Sequence, residues 1–413
     1  MKIVDVADFF SERGGGVRSY LTSLAGEGER RGHEVVIIAP GPRDEERAFN
    51  GGKLVRLAGP AMPYDPSYNL LWRVDRVLDV IARERPDVLQ ASSPYLPAPI
   101  VWSRKNVKIR SLVFHSDQVE TYVRPLVERF HSRGLTRITR RATAAIHRGL
   151  TRRFDITVTP SRAIAEMLEE DGCTNVTAVP FGVEVSQLGP QHASEEIRRE
   201  LLGSFAGVPN AAVAVASCRL AIEKRVARVI DAVEVVNRTR PLALAIFGDG
   251  PERARLEEQA RKLPQVRFYG FLKERARYNS MLASADVFVH GGAAETFAFV
   301  LAEAMASGLP LVVADAGAAK DYYIEGLAET YPAYGTLDEM AASITRALAI
   351  PRDIRARMLE EAKAGRLPSG RLPFQTQSQH FDELFALYES MLDPSSVTGG
   401  PDVSRREASP ATR

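Results

Sequence analysis

The chain has 413 residues, 45% of them apolar and 26% charged, with a formal net charge of +2. The length allows two domains with full cores, and a balance so near neutrality excludes a global pull toward nucleic acid. Cys173 and Cys218 are the only cysteines, no apolar run approaches the ~20 residues of a membrane span, and Asp5 and Asp8 break up the N-terminal apolar stretch that a signal peptide would need, so the reading is a cytoplasmic protein.

Lys2 to Ala7 reads as a short strand. Ser11–Glu12–Arg13–Gly14–Gly15–Gly16 follows and opens a helix from Val17 to about Arg31, and Val35 to Ala39 is the next strand. Strand, glycine loop, helix, strand is the opening of a Rossmann-like unit. The loop is not G-x-G-x-x-G, and no acid follows the second strand as a nicotinamide dinucleotide would require. Three successive glycines make either a surface turn or a place where backbone approaches a ligand closely. A strand near Leu54–Leu57, a helix from about Leu70 to Arg85 and a strand at Asp87–Ala91 continue the alternation. Ile109 to Phe114 is another apolar strand, running into His115–Ser116–Asp117. Polar groups just past the carboxyl end of a parallel strand lie where open α/β sheets bind ligands, which makes His115 a candidate.

Residues 124–153, RPLVERFHSRGLTRITRRATAAIHRGLTRR, hold nine arginines against one acid, Glu128. Arg129, Arg133, Arg137 and Arg141 recur at helical spacing, while Val127, Phe130, Ile138, Ala142, Ala145 and Ile146 form an apolar stripe. Either the stripe packs on its own domain and the arginines are solvated, or the segment meets anionic lipid head groups or a phosphorylated acceptor. Nucleic acid fits less well, since no aromatic residues are interleaved for base stacking. Asp155 to Thr159 is a strand, Ser161 is placed to cap a helix Arg162–Glu170, and Val176 to Val183 is a strand and exit.

Gln187 to Pro209 is polar, so a domain boundary is expected near residue 186. Ala211 to Ala216 is a strand ending in Ser217–Cys218–Arg219–Leu220, with Glu223–Lys224 ahead of a helix from Val226 to about Asn237. Arg219 as a fork and Lys224 as a point charge can clamp one diphosphate beyond that strand end. Leu242 to Phe247 is a strand entering Gly248–Asp249–Gly250–Pro251, with Pro251 expected in the first turn of the next helix. Strands follow at Val266–Leu272, Asp286–Val289 and Leu311–Val313.

The stretch His290 to Gly308, HGGAAETFAFVLAEAMASG, reads as strand end, glycine turn and a helix beginning at Phe297. Glu295 then stands at the helix mouth and Glu303 two turns in, ~12 Å apart at the helical rise. Helix N-termini hold phosphates, and carboxylates suit hydroxyl-rich ligands. Helical patterns at Leu337–Ile350, Ile354–Ala364 and Phe374–Leu392 follow, and residues 393–413 contain too little apolar surface to fold.

In order along about residues 1–390, these features resemble the retaining glycosyltransferases of family 4. ETFAFVLAE matches the family's pair of glutamates seven residues apart, and CRLAIEK is similar to its G-R-L-x-x-E-K, with Cys218 in place of the glycine. FHSDQVETY resembles its His-Thr-Asp stretch, GDGP its G-x-G-P, and VPFGV its I-P-N-G-V junction, with Phe181 replacing the usual Asn. The residues after Leu311–Val313, Asp315 to Asp321, depart from the family's Gly-Gly-then-Glu pattern.

The resemblance implies an α/β fold of GT-B type, two Rossmann-like domains facing a central cleft. It sets residues 1–185 on the acceptor side, 186–373 on the nucleotide-sugar donor side, 374–392 as a helix crossing back and 393–413 as a disordered tail. It implies transfer of a hexose from UDP-hexose or GDP-mannose to a hydroxyl of a lipid-linked, saccharide or other small acceptor, with configuration retained and without a metal or other cofactor. Arg219, Lys224, Glu295 and His115 would carry the reaction. Gly15, Gly16, Gly248, Asp249, Thr296, Phe297, Ala298 and Glu303 would hold the donor, Glu303 at the ribose. In the family's front-face chemistry the leaving diphosphate takes the proton of the acceptor hydroxyl. A same-fold nucleotide-sugar epimerase and a catalytically silent nucleotide-sugar binding protein are the alternatives. Through residues 124–153 the enzyme would be peripheral at the inner face of the cell membrane.

Overall fold

The computed structural model describes residues 1–10, 16–63, 65–115, 133–184, 186–363 and 372–393. Strands β1 (Lys2–Val6), β2 (Glu34–Gly41), β3 (Glu45–Phe49) and β4 (Gly52–Ala58) precede a small hairpin, β5 (Ala61–Met62) and β6 (Asp65–Asn69). With β7 (Val88–Ala91), β8 (Ile109–Val113), β9 (Ile156–Thr159) and β10 (Val176–Ala178), they build an eight-stranded sheet of order β10-β9-β8-β7-β1-β2-β4-β3. Every pairing in it is parallel except β3 on β4. The exposed, charged sequence of β3 (EERAF) closes an edge that would otherwise invite pairing.

After β11 (Gly182–Val183) come β12 (Ala212–Ser217), β13 (Leu242–Phe247), β14 (Val266–Gly270), β15 (Val287–Val289), β16 (Leu311–Ala314) and β17 (Ala328–Tyr331). They form a six-stranded parallel sheet of order β14-β13-β12-β15-β16-β17. Strands buried on both faces need apolar residues at every position, and β12 (AVAVAS) meets this with alternate residues entering two cores: Val213 and Val215 one, Ala212, Ala214 and Ala216 the other. The core that receives Val213 is continuous with the one under β1, through Phe181, Phe297 and Phe381.

The last strand, β18 (Gln375–Thr376), pairs in parallel with β11 and leads into the helix Gln377–Leu392. Thr376 and Gln379 form a capping box at its start. That helix packs on the first sheet's side: Tyr388 Oη donates to Gln90 Oε1 at 2.8 Å, and Arg31 donates to Asp382 through Nε at 2.8 Å.

Several expectations shift. The helix expected from Leu70 is Val74–Glu84, because the hairpin β5–β6 and the turn after it occupy the residues before. Pro251 precedes the helix Arg253–Ala260, whose N-cap is Glu252, rather than sitting in its first turn. The short helix Pro97–Trp102, the helix Arg275–Ala283 and strand β17 had no counterpart in the sequence reading. Ser161 caps Arg162–Glu170 as expected, its Oγ accepting from the Ile164 amide. Residues 393–413 lie outside the described residues, apart from Asp393.

The arginine-rich helix is described from Arg133 to Thr151, and of the two alternatives left open for its apolar stripe it favours the outward one. Ile146 is 56% exposed and Ala142 and Ala145 also face solvent, while Thr143, His147 and Thr151 are buried. The inward face is polar and satisfied: His147 Nδ1 meets Asp171 Oδ2 at 2.7 Å, and Thr143 Oγ1 donates to the Thr139 carbonyl. Val127 and Phe130 lie outside the described residues.

Candidate functional site

In the second sheet the chain reverses its direction of growth between β12 and β15, and the crevice beyond their carboxyl ends is where such sheets bind ligands. Three loops meet there, and glycines let them touch. A Cβ on Gly248, whose φ is +116°, would stand 1.9 Å from the Cys218 carbonyl oxygen, and one on Gly291 would stand 2.7 Å from the Lys224 carbonyl oxygen. No side chain fits in either place. Asp249 is exposed on the same turn, its Oδ1 accepting from the Gly250 amide and its carbonyl from the Leu220 amide.

Arg219 is exposed at the rim, and Lys224 ends a single 3-10 turn, Ile222–Lys224, beside it. Arg225, left-handed at φ 50°, turns the chain into the helix Val226–Val236. Lys224 Nζ reaches Glu295 Oε1 at 2.5 Å, and His290 Nε2 meets the same oxygen at 2.8 Å. Burial alone would raise the Glu295 carboxyl; the Lys224 ammonium and the His290 bond outweigh it and hold the group well below the usual carboxylate range. Burial likewise pulls the Lys224 ammonium down, yet Glu295 keeps it above its ordinary value. The two groups form a fixed ion pair in the crevice, the lysine protonated and the glutamate ionised.

The helix beyond is Phe299–Ala306, two residues shorter at its start than the sequence suggested, and its N-cap Ala298 is left-handed at φ 61°. Glu295 therefore precedes the helix, and the separation of the two glutamates no longer follows from helical rise. A non-glycine residue held there costs on the order of 1 kcal/mol. The segment is pinned on both sides: the Ala318 amide donates to the Glu295 carbonyl at 2.7 Å, and Thr296 Oγ1 donates to the His115 carbonyl at 2.6 Å. The second bond joins the second sheet's crevice to the end of β8 in the first.

Glu303 accepts from Arg275 Nη2 at 2.7 Å and from Tyr278 Oη at 2.9 Å. Phe297 is 2% exposed, packed against Phe181, Phe299 and Tyr322, so its ring is core and only its backbone is available to a ligand. His115 Nε2 lies 3.2 Å from Ser92 Oγ, and its ring is enclosed by Tyr20 and Phe181. Burial, helped by His380, pushes His115 down to about 3, so it is a neutral imidazole. Gly16 starts the helix Gly16–Arg30, where a Cβ would stand 3.6 Å from the Phe299 ring, and Gly15, Ser116 and Asp117 lie outside the described residues.

Residues 14–187 match Glycosyltransferase Family 4, and residues 205–365 match Glycosyl transferases group 1. Over 343 residues the chain is 31% identical to the GDP-mannose-dependent alpha-(1-6)-phosphatidylinositol dimannoside mannosyltransferase of Mycobacterium tuberculosis, covering 79% of this chain and 86% of that one. The chain belongs to the family 4 glycosyltransferases. A second relative, a GDP-mannose-dependent alpha-mannosyltransferase of the same species, is 31% identical over 330 residues, 78% of this chain and 81% of that one. Sucrose-phosphate synthase from Thermosynechococcus elongatus shares the GT-B fold, with a TM-score of 0.73 at 16% identity, over 96% of this chain and all of that one.

This glycosyltransferase is thus a hexosyltransferase that uses a nucleotide sugar, and neither the epimerase nor the silent binding protein is favoured. Three groups of its crevice escaped sequence reading. His290 opened the motif without being read as a partner of Glu295. Arg275 and Tyr278 sit on a helix whose sequence, RARYNSMLA, has almost no apolar periodicity, and the signal that could have found them was its position just before β15. Phe181, the residue that departs from the family's Asn, stacks on Tyr20 and Phe299 at ring-centroid distances of 4.8 and 5.7 Å, bridging the two sheets.

Proposed function

We propose that this enzyme is an α-mannosyltransferase that moves mannose from GDP-mannose to a hydroxyl of a lipid-anchored glycan, with retention of configuration. The observation that carries the site assignment is the Lys224–Glu295–His290 cluster at the switch point, tied through Thr296 to His115. The donor named for the two relatives supports the choice of base and sugar. Residues 1–185 serve as the acceptor side, 186–373 as the donor side and 374–392 as the returning helix.

In this reading Arg219 and Lys224 neutralise the charge that grows on the diphosphate as its bond to the sugar C1 breaks. The departing phosphate oxygen takes the acceptor hydroxyl's proton, and the acceptor oxygen bonds to C1 on the same face. Glu295 orients the sugar hydroxyls, Glu303 accepts from the ribose, and neutral His115 hydrogen-bonds beside the sugar. Gly15, Gly16, Gly248, Asp249, and the backbones of Thr296, Phe297 and Ala298 line the donor. The test is release of nucleoside diphosphate from GDP-mannose, UDP-glucose and UDP-galactose in the presence of a mannoside acceptor. The reading expects GDP-mannose to be turned over at least tenfold faster than either; preference for a uridine donor overturns it.

Among the described residues no helix is long and apolar enough to cross a membrane. The outward stripe of the helix Arg133–Thr151, with Ile146 and Ala145 exposed beside Arg140 and Arg141, supports docking at an anionic membrane surface. Each basic residue there contributes ~1 kcal/mol, screened over a Debye length of ~8 Å at physiological salt. Sedimentation with phosphatidylglycerol vesicles should pellet the enzyme, and neutral vesicles or half-molar salt should not. The triple variant Arg140→Gln, Arg141→Gln, Ile146→Asp should stay in the supernatant; equal pelleting with both lipids contradicts docking.

A further inference from the structure

Asp5, Gln90 and Ser111 stand in register on the adjacent strands β1, β7 and β8, a polar row beside the core residues Ile3, Val88, Ile109 and Val113. Polar groups buried in such a place cost stability unless they are bonded, and here the bonds form a chain with a direction. Tyr388 of the returning helix gives its one proton to Gln90 Oε1 at 2.8 Å, so the Ser111 hydroxyl, 2.8 Å from Tyr388 Oη, is the donor in that contact. With its oxygen so engaged, Gln90 turns Nε2 to Asp5 Oδ2 at 2.5 Å, and Ser92 Oγ donates to the same oxygen at 2.8 Å. Two donors occupy both lone pairs of Oδ2, so a proton on Asp5 sits on Oδ1 and Ser92 remains the donor in either state.

The chain ends at His115. Ser92 is buried just past β7, and His115 Nε2 lies 3.2 Å from its Oγ. A serine hydroxyl has one proton, and this one is spent on Asp5. Ser92 therefore accepts from His115, and the neutral imidazole carries its hydrogen on Nε2. Nδ1 is then a bare lone pair, and among the described residues it has no hydrogen-bond partner. The ring meets Tyr20 edge-to-face and tilts against Phe181, yet the residue is half-buried rather than sealed. A lone pair there accepts from a hydroxyl and repels a phosphate oxygen; the other tautomer would do the reverse.

We propose that Ser92, oriented by Asp5, is a positioning residue that fixes His115 as the Nε2–H tautomer and so presents Nδ1 as an acceptor for a hydroxyl of the donor sugar. The sugar contact rests on the place read above for His115; the tautomer does not. The test is nitrogen NMR of the full chain labelled at the histidine ring nitrogens, without nucleotide, with the His115 signals identified among the seven histidines by their loss in His115→Gln. In the wild type Nδ1 should resonate as an unprotonated nitrogen and Nε2 as a protonated one. Ser92→Ala should draw the two signals together as the tautomers exchange, and Ser92→Thr, which keeps the hydroxyl, should restore the wild-type pattern. Asp5→Leu, which removes the acceptor, should behave as Ser92→Ala does. A proton on Nδ1 in the wild type, or a pattern unchanged in Ser92→Ala, overturns the assignment. Turnover of GDP-mannose should fall about tenfold in Ser92→Ala and recover in Ser92→Thr, the loss expected for one buried hydrogen bond. Unchanged turnover beside an altered tautomer would sink the placing of His115 at the sugar and leave the positioning intact. No turnover of GDP-mannose by the wild type would sink the donor assignment, while the nitrogen signals still decide the tautomer.

Discussion

The two crevices treat the same chemical group in opposite ways. In the second sheet Glu295 is buried and ionised, because Lys224 and His290 both reach it. In the first sheet Asp5 is fully buried on β1, where among the described residues the neutral Gln90 and Ser92 donate to its carboxylate, and burial pushes its carboxyl up to about 7. Asp8 follows, pushed up by burial to about 6. Burial is common to all three; the neighbouring cation decides whether charge survives.

The largest expected effect removes the cations. Arg219→Ala or Lys224→Ala should lower turnover a hundredfold or more, about 3 kcal/mol of transition-state stabilisation, with the fold retained by circular dichroism. Near-normal turnover in both variants would break the donor half of the contrast.

Next comes the protonation of Asp5. Its folded value of about 7 lies above the ordinary 3.8, so between these pH values the native state holds a proton that the unfolded chain releases. Its contribution to stability is complete below about pH 4 and is lost as pH rises through 7, amounting to about 3 kcal/mol between pH 5 and 8. Asp5→Asn mimics the neutral acid and should flatten that decline in urea unfolding. Parallel pH profiles for wild type and variant would mean that Asp5 is ionised in the native protein.

The smallest effects separate the two glutamates. Glu295→Gln should cut turnover about tenfold, because it orients the reacting sugar, whereas Glu303→Gln should mainly raise KM for the donor by a similar factor. Steady-state kinetics in both variants checks this; matching changes would mean that the two carboxylates share one role.

Much of this was legible in the sequence. The alternation of elements, the Ser161 cap and the strand Leu242–Phe247 came from local pattern, because parallel strands need unbroken apolar runs. The donor motif was legible as residue types in order, and the cluster brings Lys224 and Glu295 together across 71 residues of chain. The charge partners were less so. Arg275 and Tyr278 lie on a helix without apolar periodicity, and pairing of Glu303 with them depends on tertiary contact alone. Which way the stripe on Arg133–Thr151 faces was left open by the sequence, because its inward face includes Thr143, His147 and Thr151, polar groups satisfied within the fold, which no hydrophobic pattern reveals. Phe181 stands where the family has a polar residue, and only its stacking between the sheets explains it.

The central claim is that the second crevice binds a diphosphate through charge held by Lys224. Calorimetric titration of GDP and GMP into wild type and Lys224→Ala tests it most directly. The account predicts that GDP binds wild type at least tenfold more tightly than GMP and that most of this difference disappears in the variant. Equal affinity of GDP and GMP for the wild type, or an undiminished preference for GDP in Lys224→Ala, would contradict it.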